Sequence, residues 1–186
     1  VLHENAHVGR NLADHQGINY TFEANVPTMN QMLRPWHGKL RAGMQYLLLR
    51  RGPLSISINH AGGFFRTNPA QTLPNMQLYF QAFSTVKPKA GERPILTPDP
   101  FAGYSIGLSN CRPTSRGSIE IKSPDARVHP RITANAFSTP EDVAEMLDAV
   151  KFLRFIAARP AMKSITVREV LPGPSIQSDE ELTLDF

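Results

Sequence analysis

Proline stands at 16 of the 186 positions, spread from Pro27 to Pro174. A proline inside a helix removes one backbone N–H and drives its ring into the preceding turn. Long uninterrupted helices are therefore excluded, and the chain must turn often. The segments between prolines are long enough for strands and for a few medium helices. The clearest strand is Asn75 to Phe83, where Met76, Leu78, Phe80 and Ala82 alternate with Gln77, Tyr79, Gln81 and Phe83. A strand with one apolar and one polar face belongs to a sheet that buries only one side.

Other segments fit the same picture. Ile18 to Ala24 alternates through Tyr20 and Phe22. Tyr104 to Cys111 reads as a strand, Pro113 to Gly117 as a turn, and Ser118 to Ser123 as a returning strand with Ile119 and Ile121 facing in. Arg131 to Ala136 adds one more strand, Leu54 to Ile58 is a short alternating run, and Lys87 to Gly103 is a Pro-rich loop. His37 to Arg51 predicts a helix with Leu40, Met44, Leu47 and Leu48 on one side, stopped by Gly52-Pro53. Thr139-Pro140-Glu141-Asp142 supplies an N-cap, a first-turn proline and first-turn acid. The helix that follows buries Val143, Met146, Leu147, Val150, Leu153 and Ala157 and ends at Pro160. Ser178 to Glu181 opens a last capped helix. Most strands are joined by connections too short for a helical crossover. The expected class is α+β: a predominantly antiparallel β-sheet with helices packed on one face.

With 41% apolar and 19% charged residues, the chain suits one domain with a full core. A single cysteine, Cys111, excludes an intrachain disulfide framework and a multi-cysteine metal site, and is expected to be inert core. The net charge of +4 hides a strong asymmetry. From Ala24 to Gly91 there are eight Lys or Arg and no Asp or Glu, whereas Glu169 to Phe186 has five carboxylates and no Lys or Arg. A basic stretch suits nucleic acid, anionic lipid or a phosphate-bearing ligand. The plainer explanation is that the two parts neutralise each other within the fold. No nucleic-acid motif accompanies the basic residues, so a nucleic-acid partner is not expected.

Catalytic signals are sparse. There is no glycine-rich phosphate loop and no serine in a nucleophile elbow. His3, His7 and His15 are spaced for a helix, but Gly9 interrupts them, and no metal site is expected. His60, next to Ala61 and the pair Gly62-Gly63, can reach a ligand, or can serve as a bonded structural group. Gln77, Tyr79 and Gln81 offer a polar sheet face that suits a pocket wall as well as water.

Four stretches then acquire a common meaning. Gly9-Arg10-Asn11-Leu12-Ala13-Asp14-His15 resembles the GVGxNLxDH motif of the glucose–methanol–choline (GMC) family of flavin oxidoreductases. Pro113-Thr114-Ser115-Arg116-Gly117-Ser118-Ile119-Glu120-Ile121-Lys122-Ser123-Pro124-Asp125 resembles its PxSRGxVxLxSxDP hairpin. Asn135-Ala136-Phe137 followed by Pro140-Glu141-Asp142 resembles NYLxxxxD. Gly62-Gly63-Phe64-Phe65-Arg66-Thr67 resembles the GGFxRS stretch of choline-dehydrogenase-like members. The departures are Ala6-His7 for Pro-Gly, Asp125-Ala126 for DP, and Asn59-His60-Ala61 where choline-oxidising relatives carry a Glu.

The resemblance implies FAD and oxidation of an alcohol to an aldehyde or ketone by hydride transfer. It implies that residues 1–186 are the substrate-binding domain of a larger flavoenzyme, because the GxGxxG motif and the HPxGTCRMG segment with its catalytic His are missing. The expected partners are the FAD-binding domain of the same parent protein and a small alcohol. Asn59, His60, Phe64, Tyr79 and Gln81 are the candidate substrate-binding residues, with no carboxylate to favour a cation. Asn11, Asp14 and His15 are candidates for the flavin side, or for a buried hydrogen-bond cluster between domains. Arg116 is expected to pin the hairpin by a charge-assisted hydrogen bond. The alternative is a non-catalytic ligand-binding module that has lost its flavin partner. With no signal sequence or membrane span visible, a cytoplasmic location is expected.

Overall fold

The computed structural model describes residues 3–87 and 97–186. Five strands form one antiparallel sheet: β1 (Gly17–Ala24), β2 (Ala61–Phe65), β3 (Met76–Gln81), β4 (Gly103–Asn110) and β7 (Thr166–Leu171), in the order β2-β3-β4-β1-β7. A separate two-stranded ribbon pairs β5 (Ser118–Glu120) with β6 (Arg131–Thr133). The helices are α1 (Met29–Leu33), α2 (Trp36–Leu49), α3 (Pro140–Ala157), α4 (Pro160–Lys163) and α5 (Asp179–Asp185). The α+β architecture with an antiparallel sheet is as the sequence predicts.

Register fixes which residues share a face. Ile18 faces Leu108, Tyr20 faces Ile106 and Phe22 faces Tyr104, while Leu78 faces Leu108 and Phe80 faces Ile106. These apolar residues build the covered face. The helix α3 supplies Met146, Ala149, Val150 and Leu153 against it, and Leu182 of α5 closes one end. Phe65 stacks on Phe152 of α3 with ring centroids 4.3 Å apart, and Phe22 stacks on Tyr104 at 5.0 Å. Thr139 caps α3 through its side chain, and Ser178 with Glu181 forms a capping box on α5.

The other face carries Gly17 and Asn19 of β1, Gly107 and Ser109 of β4, Gln77, Tyr79 and Gln81 of β3, and Gly62 and Phe64 of β2. No described helix packs across it; the main helix–sheet contacts run from α3 to β4 and from α4 to β7.

The expected helix α2 forms; its line of Leu40, Met44, Leu47 and Leu48 faces outward, and the one buried residue of α2 is Ala42. Spacing identifies a stripe but not what lies opposite it, and here no sheet does. Three expectations need correction. Leu54 to Ile58 is not a strand: Pro53–Ser55 is a 3-10 turn, with Ser55 N–H bonded to the Gly52 carbonyl. Ile119 and Ile121 do not face in, at 39% and 80% exposure, because their ribbon joins no second layer. Cys111 lies just past β4 and is half-buried rather than in the core; burial pushes its thiol pKa up. Four elements carry no expectation: the edge strands β2 and β7 and the short helices α1 and α4. Of the Pro-rich loop expected from Lys87 to Gly103, residues 88–96 lie outside the described residues.

Candidate functional site: an open sheet face and a histidine-lined cavity

Three of the sequence motifs meet in one hydrogen-bonded knot beside the sheet. Leu12 and Gly117 exchange backbone bonds of 3.0 and 2.8 Å, and Ile119 N–H donates to the Gly9 carbonyl at 2.7 Å. Gly9 has φ +78°, and a Cβ there would overlap the Ile119 carbonyl. Arg116 donates to the Pro113 and Ser115 carbonyls at 2.7 and 2.9 Å, and Asn135 Nδ2 donates to the Arg116 carbonyl at 2.9 Å. Arg116 is thus the hairpin pin that the sequence suggests. Asp142, at the head of α3, accepts from the N–H groups of Thr114 and Ser115, each at 2.8 Å. The Gly-Arg-Asn-Leu, hairpin and Asn-Ala-Phe motifs therefore fix local geometry.

Past this knot the chain enters β1. His15, two residues before β1, has Nδ1 3.2 Å from Ser109 Oγ of the polar face. Asp14 Oδ1 accepts the His15 N–H at 2.8 Å, and both side chains are exposed. Asn11 is exposed in a left-handed conformation, φ 57°. Of these three side chains, only that of His15 reaches the sheet.

Tyr79 lies across the middle of the open face. A Cβ at Gly107 would overlap its ring, and one at Gly17 would sit 3.4 Å from its Oη. Two glycines on neighbouring strands thus make the bed in which the ring lies flat. Burial there pushes the phenol pKa up, so the group stays a neutral donor and acceptor. Phe64, 64% exposed, stands opposite Gln77 on the edge strand β2.

At the far end of β3, Gln81 Nε2 donates to Asn59 Oδ1 at 3.0 Å. His60 is different. Its Nδ1 accepts the Ala82 N–H at 3.3 Å, which places the ring proton on Nε2. Nε2 is buried and has no hydrogen-bond partner among the described residues. His60 lines a cavity of about 360 Å³ whose walls also include Met29, Leu33, Lys39, Leu54, Ile58 and Phe83. A mostly apolar cavity with the His60 imidazole, the Lys39 ammonium and the Ser57 hydroxyl among its lining suits a ligand with a hydrocarbon body and an oxygen acceptor, because a buried donor left unpaired costs about 1–3 kcal/mol.

The five candidate substrate residues are therefore not gathered in one cavity. His60 lines the half-open cavity, Asn59 and Gln81 bond to each other beside it, and Tyr79 and Phe64 lie along the open face. The cavity's apolar walls escaped the sequence reading. The one local signal for the α1 wall was the Thr28–Gln31 capping box, which positions Met29 and Leu33. Among the described residues no three His, Cys, Asp or Glu side chains converge as a metal site would require.

Comparison with known proteins gives this geometry a context. A family model described as GMC oxidoreductase matches residues 113–185. The chain is 31% identical over 187 residues to the alcohol dehydrogenase [acceptor] of Pseudomonas putida, covering 100% of this chain and 33% of that protein. It is 32% identical over 189 residues to the oxygen-dependent choline dehydrogenase of Pectobacterium atrosepticum, covering 98% of this chain and 32% of that protein. A solved structure of Aspergillus oryzae formate oxidase, concerned with modification of its FAD, superposes with a TM-score of 0.76 at 20% identity. The overlap covers 96% of this chain and 35% of that one. The chain thus spans about a third of the length of the curated relatives it matches.

Proposed function

We propose, for a chain that belongs to the GMC oxidoreductase family through residues 113–185, a role as the substrate-binding part of an FAD-dependent oxidoreductase that converts an alcohol CH–OH group to an aldehyde or ketone. The observation that carries this reading is the sheet with one face covered by α3 and the other left open, with Tyr79 at its centre and the His60 cavity at its end. FAD fits this chain only in part. His15, Asp14 and Asn11 offer exposed hydrogen-bonding groups suited to the edge of a flavin ring. Nothing in the sequence offers the glycine-rich turn that a pyrophosphate needs. An FAD-binding domain of the same parent protein would hold the rest of the cofactor and the base that takes the hydroxyl proton.

When bound, the flavin supplies a two-electron acceptor for the carbinol hydride. The residues of this chain do the binding and positioning. His60 Nε2–H donates to the substrate oxygen or to an acceptor on its chain, and the apolar walls take the hydrocarbon. Tyr79, fixed flat by Gly107, excludes water from the centre of the face and offers its hydroxyl for orientation. Among the described residues the cavity has no carboxylate in its walls and Lys39 at its edge, so an uncharged alcohol is favoured over a quaternary ammonium substrate.

The test is an anaerobic substrate panel on the full-length protein. The purified protein should be yellow and should bleach with uncharged aliphatic or aromatic alcohols more readily than with choline. A colourless protein after reconstitution with FAD, or bleaching by choline alone, would overturn the proposal.

A further inference from the structure

The helix α2 turns its apolar side to solvent. Trp36, Leu40, Met44 and Leu48 follow i, i+4 spacing along one line with Leu47 beside them, and each is more than half exposed. In and just after the 3-10 turn, Leu54 and Ile56 are exposed as well. They adjoin α2 through Lys39, which lines the same cavity mouth. Soluble monomers rarely expose contiguous apolar patches larger than a few hundred Å² without a use for them.

The charge around the patch is one-sided. Arg34, Lys39, Arg41, Arg50 and Arg51 are exposed, and none is in an ion pair among the described residues. Arg50 instead lies over the Tyr46 ring, 5.2 Å from its centroid. No carboxylate stands anywhere between Ala24 and Gly91. A second copy docking here would bring five cations against five, which repel. An anionic bilayer offers both an apolar layer for the leucines and phosphates for the cations. At about 1.5 Å per residue, the 14 residues of α2 reach about 21 Å, well short of a bilayer's ~30 Å hydrocarbon core. The helix can lie on a membrane but not cross it.

We propose that α2 and the adjoining Leu54–Ile56 segment form a membrane-surface anchor. Trp36, Leu40, Met44, Leu47 and Leu48 insert at the boundary between headgroups and acyl chains. The five cations meet anionic lipid phosphates. The placement rests on exposure and charge alone and does not depend on the alcohol-oxidising reading.

The experiment is co-sedimentation of the full-length protein with phosphatidylcholine vesicles, with and without one-third phosphatidylglycerol, at low and at physiological salt. Binding to the anionic vesicles is expected, falling as salt rises, and at least about tenfold weaker on phosphatidylcholine alone. Arg50→Gln with Arg51→Gln should weaken partitioning roughly 30-fold. Leu47→Glu with Leu48→Glu should abolish it while the circular dichroism spectrum stays unchanged, since both sites are exposed. Wild-type protein that stays in the supernatant with both vesicle types overturns the proposal. So does vesicle binding that the Leu47→Glu, Leu48→Glu variant retains. A dimer that this variant converts to monomer, with no lipid binding, assigns the patch to a second copy instead.

Discussion

Replacing Asp142 by asparagine should loosen the knot that joins α3 to the Pro113–Gly117 turn. The side chain is 1% exposed. Burial alone would push its carboxyl up, but hydrogen bonds from Ser115 and Thr114 outweigh that and bring the pKa down to about 2. Two of these donors are backbone N–H groups at 2.8 Å and one is Thr114 Oγ1 at 3.0 Å. Against an ordinary value of 3.8, a carboxylate held near 2 favours the folded state by about 2 kcal/mol at neutral pH. The sign follows from a depressed pKa: this stabilisation is complete above the unfolded value and disappears as pH falls through the folded one. Asp142→Asn keeps the shape but replaces one acceptor oxygen by an NH₂ group facing a donor. At about pH 7 the variant should lose about 2–4 kcal/mol. The gap to wild type should shrink by about 2 kcal/mol between about pH 5 and pH 2. Urea unfolding followed by far-ultraviolet circular dichroism at several pH values measures both quantities. A loss below about 0.5 kcal/mol at neutral pH, or a gap that does not change on acidification, would refute the assignment of Asp142 as the charged clasp.

Further expectations follow from single contacts. Gly107→Ala places a methyl group where the Tyr79 ring lies, so it should cost about 1–3 kcal/mol and alter the near-ultraviolet tyrosine dichroism, an effect that Tyr79→Ala in the same chain should largely relieve. Tyr20, Tyr79 and Tyr104 all have phenol pKa values raised by burial from the ordinary 10.0. Absorbance titration should therefore find phenols ionising late. Stability should hold up to about pH 10 and fall as pH rises through the folded-state values. Leu182→Ala should destabilise by about 2–5 kcal/mol in a urea titration, because that side chain is buried at the end of the core where α5 meets α3. A loss under about 1 kcal/mol would mean α5 is not docked.

What the sequence made legible was local, and what it hid was tertiary. The N-cap Thr139, the first-turn Pro140 and the stripe through Met146, Val150 and Leu153 announce α3 because each acts within a few turns of helix. The alternation in β1 and β3 likewise settles their buried faces. The apolar line of α2 is just as regular, yet it faces outward, because spacing carries no information about what stands opposite. Ile119 and Ile121 mislead for the same reason. The strand β7 has no clean alternation, since it is an edge strand with Val167 exposed, tied to β1 partly through the Arg168–Glu23 ion pair at 2.7 Å. The motif residues are legible as motifs, but their role in the Asp142–Ser115 and Leu12–Gly117 clasps is a matter of contacts far apart in sequence. His60 stands out beside its glycine pair. Its cavity does not, because Met29, Leu54, Phe83 and Pro98 come from four separate stretches.

The most direct measurement is the anaerobic reductive titration of the full-length flavoprotein with an uncharged alcohol, compared between wild type and His60→Leu. The account predicts that the variant loses about tenfold in alcohol affinity, the equivalent of one hydrogen bond, with a far smaller change in the limiting rate of flavin bleaching. His60→Gln, which keeps a donor and an acceptor, should recover most of that loss. Equal alcohol affinity in wild type and His60→Leu would contradict the placement of substrate in this cavity, and a wild-type protein whose flavin no alcohol reduces would contradict the function itself.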